Sequence, residues 1–408
     1  MQTRPYGSWV RDTRGALGGT TRQRGVQPRR DAGPDSGLWR CPIVRRKRLF
    51  AGLRRRRATH HSLMKACVLR GARDLHLADF PDPTPGPAEV LVRLGAGGIC
   101  GSDLHYFTDG GVGDFQLREP LVLGHEGAGI VVATGEHVSN VRLGDHVAVN
   151  PNRPCDQCAE CRAGRRNLCR DVRFFGSAAR FPHVQGLFAE LFVVPAENCF
   201  PVPARLSHRA AACAEPLAVA LHAAQQAGSL AGRRVFIAGS GPIGVLLAAV
   251  AREAGASVVT VTDLFDEPLA IARMMGATET VNAKTEAPRM VGFALDRGVF
   301  DVAFEASGHP SGLANALEFT APGGTVVQVG MLPRGDSPAP LNRIVAKELR
   351  LVGTFRFDRE YAGAVELLIS GRIDVAPMLT HEFTFAELKE AFVTAADKRR
   401  AMKVSIKP

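Results

Sequence analysis

The sequence predicts an α/β protein in two parts, a doubly wound parallel sheet joined to a mostly β domain. Three observations carry that expectation. A strand, a glycine turn, a helix and a second strand follow one another in "RRVFIAGSGPIGVLLAAVAREAGASVVTVTD" at 233–263. Short strands separated by Gly, Pro and Asp fill residues 88–150. Four cysteines crowd into 155–169.

With 408 residues, 45% of them hydrophobic, the chain is long enough for two or three domains with cores of their own. No run approaches the roughly 18 apolar residues of a membrane span. The formal net charge is +11, but residues 1–63 hold sixteen Lys and Arg against three Asp and Glu, so residues 64–408 carry about −2. The globular part therefore gives no reason to seek nucleic acid. The Arg-, Gly- and Pro-rich extension, with "RRKR" at 45–48 and "RRRR" at 54–57, has no strand or helix period and should be disordered. Three readings compete for it: a tail for anionic partners, an organelle-targeting segment, or a stretch that is not translated. The last is favoured, with a start at Met64, where "MKACVLRGARDLHLADF" opens like a first strand.

From there the strand "EVLVRLGAGG" leads into "ICGSDLHYF", with Ser102 and Asp103 expected as helix caps. After "PLVLG" the chain turns at Gly124 and continues as the strand "GAGIVVATG". Cys100 and His125 thus lie at strand ends. A thiolate, an imidazole and a carboxylate at one point make a three-ligand zinc site with an open fourth position, the catalytic arrangement. Taken alone, a Cys near a His is more often core packing. His125 and Glu126 are adjacent and on a regular strand would face opposite ways, so only a bend at Gly124 lets both address one ion. Glu126 is then a direct ligand or an outer-shell group.

Gly144-Asp145-His146 should be a tight turn feeding another strand. Cys155, Cys158, Cys161 and Cys169, spaced C-x2-C-x2-C-x7-C, are a closed four-thiolate set, hence a structural zinc site. The nearby Arg153, Arg162, Arg165, Arg166 and Arg170 are candidates to offset its charge. In a chain with no secretory signal this clustering means metal rather than disulfide, and a reducing compartment, the cytoplasm. Cys41, Cys67, Cys199 and Cys213 have no partner spacing and should pack. The loop "FFGSAARFPHVQG" is either a substrate lip or cover for a core edge. Glu215, before Pro216 in an alanine-rich helical run, reads by itself as a cap.

The turn Gly239-Ser240-Gly241-Pro242-Ile243-Gly244 is a full G-x-G-x-x-G after a buried strand and before a helix, with Asp263 closing the next strand. That context is what dinucleotide binding requires. The helix N-terminus faces the phosphates and Asp263 accepts from the ribose hydroxyls. Asp263 would repel a 2′-phosphate and no Arg or Lys occupies 264–268, so NAD is expected, with NADP as the alternative. The strand ends at Ser307 and at Val329-Gly330 should line the same crevice. The tail after Arg356 should give two helices and a last strand.

With "GGICGSDLHYF", "VLGHE", the cysteine lobe, "FFGSAARFPHVQG", "EPLAVALHAA", "GSGPIG" and "FRF" in view, residues 64–408 resemble the zinc-dependent medium-chain dehydrogenases, and within them the polyol group. The resemblance implies a GroES-like catalytic domain over 64–220 and 354–408 and a Rossmann NAD-binding domain over 221–353. It implies one catalytic and one structural zinc, and a homodimer or homotetramer acting on a small sugar acid or polyol. By the same resemblance Cys100, His125 and Glu126 hold the catalytic zinc, and Glu215 contacts its water or replaces it. Ser102 and His105 carry the proton to solvent, and Asp103 orients His125. Tyr106, Phe175 and Arg356 are candidates for substrate contact, and Arg180, His183 and Arg356, from their place on the expected lip segments, are candidate cations for a sugar-acid carboxylate. The implied reaction is oxidation of L-idonate at C5 to 5-keto-D-gluconate, with sorbitol or xylitol as the alternative. A reading from another class, a zinc-containing nucleic-acid module, would need the cysteine lobe to stand apart from this framework.

Overall fold

A computed structural model describes residues 63–408. The expectations for the Arg-rich extension, Cys41 included, lie outside the described residues. Strand Leu63–Leu69 pairs antiparallel with Leu75–Pro81 and with Leu121–Val122. A seven-stranded sheet follows the order Cys199–Val202, His146–Val149, Glu126–Thr134, Glu89–Gly98, Lys403–Lys407, Leu379–Thr384, with Leu191–Pro195 also pairing Glu89–Gly98. Gly144 has φ +89°, which is why a glycine sits at the turn into His146–Val149.

Register in this sheet positions the site. Glu89–Gly98 runs antiparallel to Glu126–Thr134 with Gly98 opposite Glu126 and Gly97 opposite Gly127. Lys403–Lys407 pairs with the other side of the same strand end, Ser405 opposite Gly98. Three segments far apart in the chain therefore terminate together. The approach is close enough that a Cβ on Gly98 would lie 2.1 Å from Glu126 Oε2.

The second sheet has six parallel strands in the order Glu279–Asn282, Val258–Asp263, Arg234–Ala238, Phe300–Glu305, Thr320–Gln328, Arg350–Gly353. Chain order reverses beside Arg234–Ala238, the crevice where doubly wound sheets bind ligands. That strand is buried on both faces: Val235 and Ile237 join the core shared with helices Ala214–Ala227 and Pro242–Glu253, and Phe236 and Ala238 join the core under Pro310–Phe319. The alanines of Ala214–Ala227 are small enough to let neighbouring helices pack close.

The tail differs from expectation by one strand. Helices Glu360–Ser370 and Leu388–Ala396 and strand Lys403–Lys407 are present, but Leu379–Thr384 also joins the large sheet at its edge. None of its residues is fully buried, so the alternation that marks a strand is faint.

Candidate active site

Cys100 is the N-cap of helix Gly101–Asp109. The helix begins one residue before the expected caps, and Ser102 and Asp103 fall inside its first turn. Asp103 is fully buried and ties two segments together. Its Oδ2 accepts from the Cys100 N–H at 3.0 Å and its Oδ1 from the Gly124 N–H at 3.2 Å. His125 Nδ1 lies 3.8 Å from Oδ1. Gly124, at φ +93°, makes the bend that turns His125 and Glu126 toward one point.

The donor atoms of Cys100, His125 and Glu126 all lie within 4.8 Å of one another. A soft sulfur, an imidazole and a carboxylate that converge like this fit a zinc ion. Burial, and then the Glu126 charge, push the Cys100 thiol up to about 11. A coordinated cation reverses that balance, because it deprotonates the thiol outright. Ser102 follows two residues after Cys100 in the first turn of the same helix. His105 is exposed one turn further on, its Nδ1 3.2 Å from Asp109 Oδ2.

Lys403 was not legible as part of this centre. Its Nζ donates to Glu126 Oε1 and Oε2 at 2.7 and 2.8 Å, and to the Ile99 carbonyl at 3.3 Å. Burial works against its charge, but Glu126 and Cys100 outweigh that and hold it above the usual lysine range. Both Glu126 oxygens are thus already engaged, whichever of the two roles open from sequence it takes. Glu215, in the first turn of Ala214–Ala227, makes no side-chain cap. It is buried near Cys100, His125 and Glu126, and burial first, against the pull of His125, raises its carboxyl to about 8.

The second cluster is built differently. The sulfurs of Cys155, Cys158, Cys161 and Cys169 also lie within 4.8 Å of one another, and all are free thiols. Backbone N–H groups serve them: Cys155 N–H and Asp171 N–H donate to Cys169 Sγ at 3.2 and 3.3 Å. The N–H groups of Arg170 and Cys161 hold Cys158 down to about 6. Three of the five arginines expected to offset the charge are engaged elsewhere. Arg165 bonds Glu160 through Nε at 3.0 Å, Arg166 pairs with Asp156 at 2.7 Å, and Arg153 lies over the Phe175 ring. Asn167 anchors the lobe, donating to the Phe355 carbonyl at 2.9 Å and contacting His222 Nε2 at 3.2 Å.

In the glycine turn, Gly239 has φ +98° and a Cβ on Gly244 would lie 2.0 Å from the Gly239 oxygen. Gly241 opens onto free space, and Pro242 occupies the first helical position with Ile243 behind it. Asp263 accepts from the N–H groups of Ser240, Leu264 and Phe265 at 2.7, 2.7 and 3.3 Å. These residues fit a dinucleotide at the strand ends. Glu305 escaped the sequence reading. It is fully buried and its carboxylate accepts from the N–H of Ser307 at 2.8 Å, Gly308 at 3.1 Å and Gln328 Nε2 at 2.6 Å. Its carbonyl takes the N–H of Val329 and Gly330. One residue thus ties both crevice-lining turns, through its carboxylate and its carbonyl. The available signal was a lone acid ending the apolar strand "FDVAFE".

Among the expected substrate contacts, Arg356 stands out. It is held at φ +53° with its guanidinium 4.0 Å from the Phe174 ring centroid, and its buried Nη1 has no partner among the described residues. Burial lowers its pKa to about 10, with Tyr106 and Glu215 working the other way. It remains a cation at neutral pH. Tyr106 is buried and its hydroxyl accepts from the Ala178 N–H at 2.9 Å. Three expectations need correction. Phe174, not Phe175, faces the centre, with its ring 5.6 Å from that of His125, while Phe175 packs in the core of the β domain. His183 spends both ring nitrogens on its own neighbourhood, one at 2.9 Å from the Arg118 N–H and the other at 2.7 Å from the Arg180 carbonyl. Arg180 turns to the Val172 and Arg170 carbonyls and to Asp171, bracing the loop.

Comparison with known proteins agrees with this geometry. The family described as "Alcohol dehydrogenase GroES-like domain" matches residues 86–204, and "Zinc-binding dehydrogenase" matches residues 242–370. L-idonate 5-dehydrogenase (NAD(P)(+)) of Escherichia coli (strain K12) is 44% identical over 319 residues, 78% of this chain and 91% of that protein. Sorbitol dehydrogenase of Bacillus subtilis (strain 168) is 35% identical over 85% of this chain and 97% of its own length. The crystal structure of the Escherichia coli L-idonate 5-dehydrogenase superposes with a TM-score of 0.79 at 40% identity, covering 85% of this chain and 99% of that one.

Proposed function

The chain belongs to the zinc-binding alcohol dehydrogenases, and from that premise we propose that it oxidises L-idonate at C5 to 5-keto-D-gluconate, with reversible hydride transfer to NAD or NADP. The observation that carries the choice of a sugar acid is Arg356. A buried guanidinium stacked on Phe174, its Nη1 without a partner among the described residues, has a donor ready for a carboxylate. A neutral polyol can accept from that donor through a hydroxyl, but it leaves the guanidinium charge uncompensated.

A zinc ion held by Cys100, His125 and Glu126, with Glu215 alongside, would supply the Lewis acidity that makes the substrate alcohol easier to deprotonate. The chain's own residues do the rest. Asp103 fixes the backbone at Cys100 and Gly124, so sulfur and imidazole keep their mutual geometry. Lys403 pins both Glu126 oxygens. Ser102 in the first turn and the exposed His105 one turn on lie on the same helix, a route for the released proton. Glu305 holds the turns at Ser307 and Gly330 against the cofactor crevice. Asp263 presents its carboxylate to the ribose.

We also place the protein in the cytoplasm, since eight cysteines among the described residues are all thiols. No helix among the described residues is long and apolar enough to cross a membrane. We propose a homo-oligomer, in keeping with the unpaired outer edge of strand Arg350–Gly353 and the exposed Leu351, Val345 and Leu341 near it. The test of function is NADH formation with L-idonate and sorbitol side by side, before and after chelation and zinc restoration. Zinc-reversible turnover that favours idonate supports the proposal. A preference for sorbitol moves the substrate to the neutral polyols.

A further inference from the structure

Asp263 poses a problem for NADP. Its carboxylate sits where the adenosine ribose hydroxyls are read, and the five residues that follow it, Leu264 to Pro268, include no cation. A 2′-phosphate there meets like charge, which costs affinity unless a positive group stands within a few ångströms. A cation does reach the residue two places after Asp263, and it comes from the far end of the chain. The guanidinium of Arg399 lies over the Phe265 ring, 4.8 Å from its centroid. The N–H of that same Phe265 donates to Asp263 Oδ1. We infer that Arg399 is the 2′-phosphate contact, reaching from the C-terminal turn to the nucleotide-binding sheet and admitting NADP despite Asp263.

The turn that carries Arg399 has a set shape. Asp397 Oδ1 accepts from the Arg399 N–H at 3.1 Å, and the Asp397 carbonyl takes the N–H of Arg400 and Ala401 at 3.0 Å. Arg399 makes no ion pair among the described residues, so its donors are free for a ligand. Stacking on Phe265 restricts the side chain before a ligand arrives, which lowers the cost of ordering it. The charges around it are mixed. Lys398 and Arg400 are exposed in the same turn, and Glu267 is exposed two residues after Phe265. Asp266 Oδ1 is drawn away by Asn282 Nδ2 at 2.7 Å. Asp263 itself is partly offset by three backbone N–H groups. A planar guanidinium fork suits a phosphate better than an ammonium does. The arrangement also spans the two parts of the molecule, so a 2′-phosphate would link the C-terminal turn to the cofactor crevice.

The inference rests on the dinucleotide-binding reading and is tested by binding alone. NADH and NADPH are titrated separately, without substrate, by nucleotide fluorescence on wild type, Arg399→Ala, Arg399→Lys and Arg399→Glu. Arg399 is exposed, so the variants should fold, and thermal melts check this. The expected result is a loss of NADPH affinity of about tenfold or more in Arg399→Ala, the value of one charge-assisted hydrogen bond. Arg399→Lys should fall between, Arg399→Glu should lose more, and NADH affinity should stay within about twofold as no charged contact to it is removed. Equal losses for both nucleotides, or no loss for NADPH, would overturn the assignment. So would a wild-type protein that binds NADH and ignores NADPH. Failure of the wild type to bind either nucleotide would instead bring down the oxidoreductase reading itself, and this inference with it.

Discussion

The two metal-binding clusters differ in where their ligands come from and in what balances their charge. The cysteine lobe draws four sulfurs from one stretch, 155–169, and serves them with backbone N–H groups from 155–171. The catalytic cluster draws Cys100, His125 and Glu126 from the ends of paired strands and balances them with Lys403, 277 residues from Glu126 in sequence. The first takes its ligands locally, and Asn167 then ties the lobe to Phe355 and His222. The second is a product of sheet register, so its electrostatics and the β domain's packing cannot be separated. A structural site can be closed and self-sufficient, whereas a reactive one is made where several elements meet.

The sharpest way to break the comparison is to remove one sulfur from each. Cys100→Ser should cut kcat by roughly three orders of magnitude or more, since the Lewis acidity at stake is worth several kcal/mol. Cys158→Ser should lose one metal per chain, measured by elemental analysis, and lower the melting temperature while folded molecules still turn over. Loss of turnover per folded molecule in Cys158→Ser would blur the division of labour.

Lys403→Met comes next. It leaves the Glu126 carboxylate buried without its partner, and breaking such a pair costs about 3–5 kcal/mol, read by chemical denaturation of the apo protein. A loss below about 1 kcal/mol would mean the pair behaves like a surface contact.

A smaller effect concerns how the lobe is anchored. Asn167 contacts His222, whose Nδ1 lies 2.9 Å from Glu360 Oε1. Burial opposes the Glu360 charge, but bonds to His222 and to the Asp358 N–H prevail and hold its carboxyl below the usual range. Its contribution is therefore present above the ordinary glutamate pKa and is lost as pH falls through the lowered one. Stability against pH should drop on the acid side in wild type and fall less steeply there in Glu360→Gln.

Legibility in the sequence followed the same divide. The four-cysteine spacing and the glycine turn were readable because their geometry is set within a few tens of residues. Cys100 and His125 were readable as strand ends. Lys403 and Glu305 were not, because each matters through a partner that only strand register or a strand end supplies. The choice of Phe174 over Phe175 turns on a single step of alternation in the two-residue strand Arg173–Phe174, too short to carry a period. His183 and Arg180 had the right charge on the right loop, but their partners are backbone groups that no spacing reveals.

The central claim, a sugar acid recognised by a buried cation, is tested most directly by steady-state kinetics of wild type and Arg356→Met with L-idonate and with sorbitol. The expected result is a KM for L-idonate raised about tenfold or more, the worth of a charge-assisted hydrogen bond, with the sorbitol KM changed far less. Equal changes for the two substrates would contradict it and assign Arg356 to packing against Phe174.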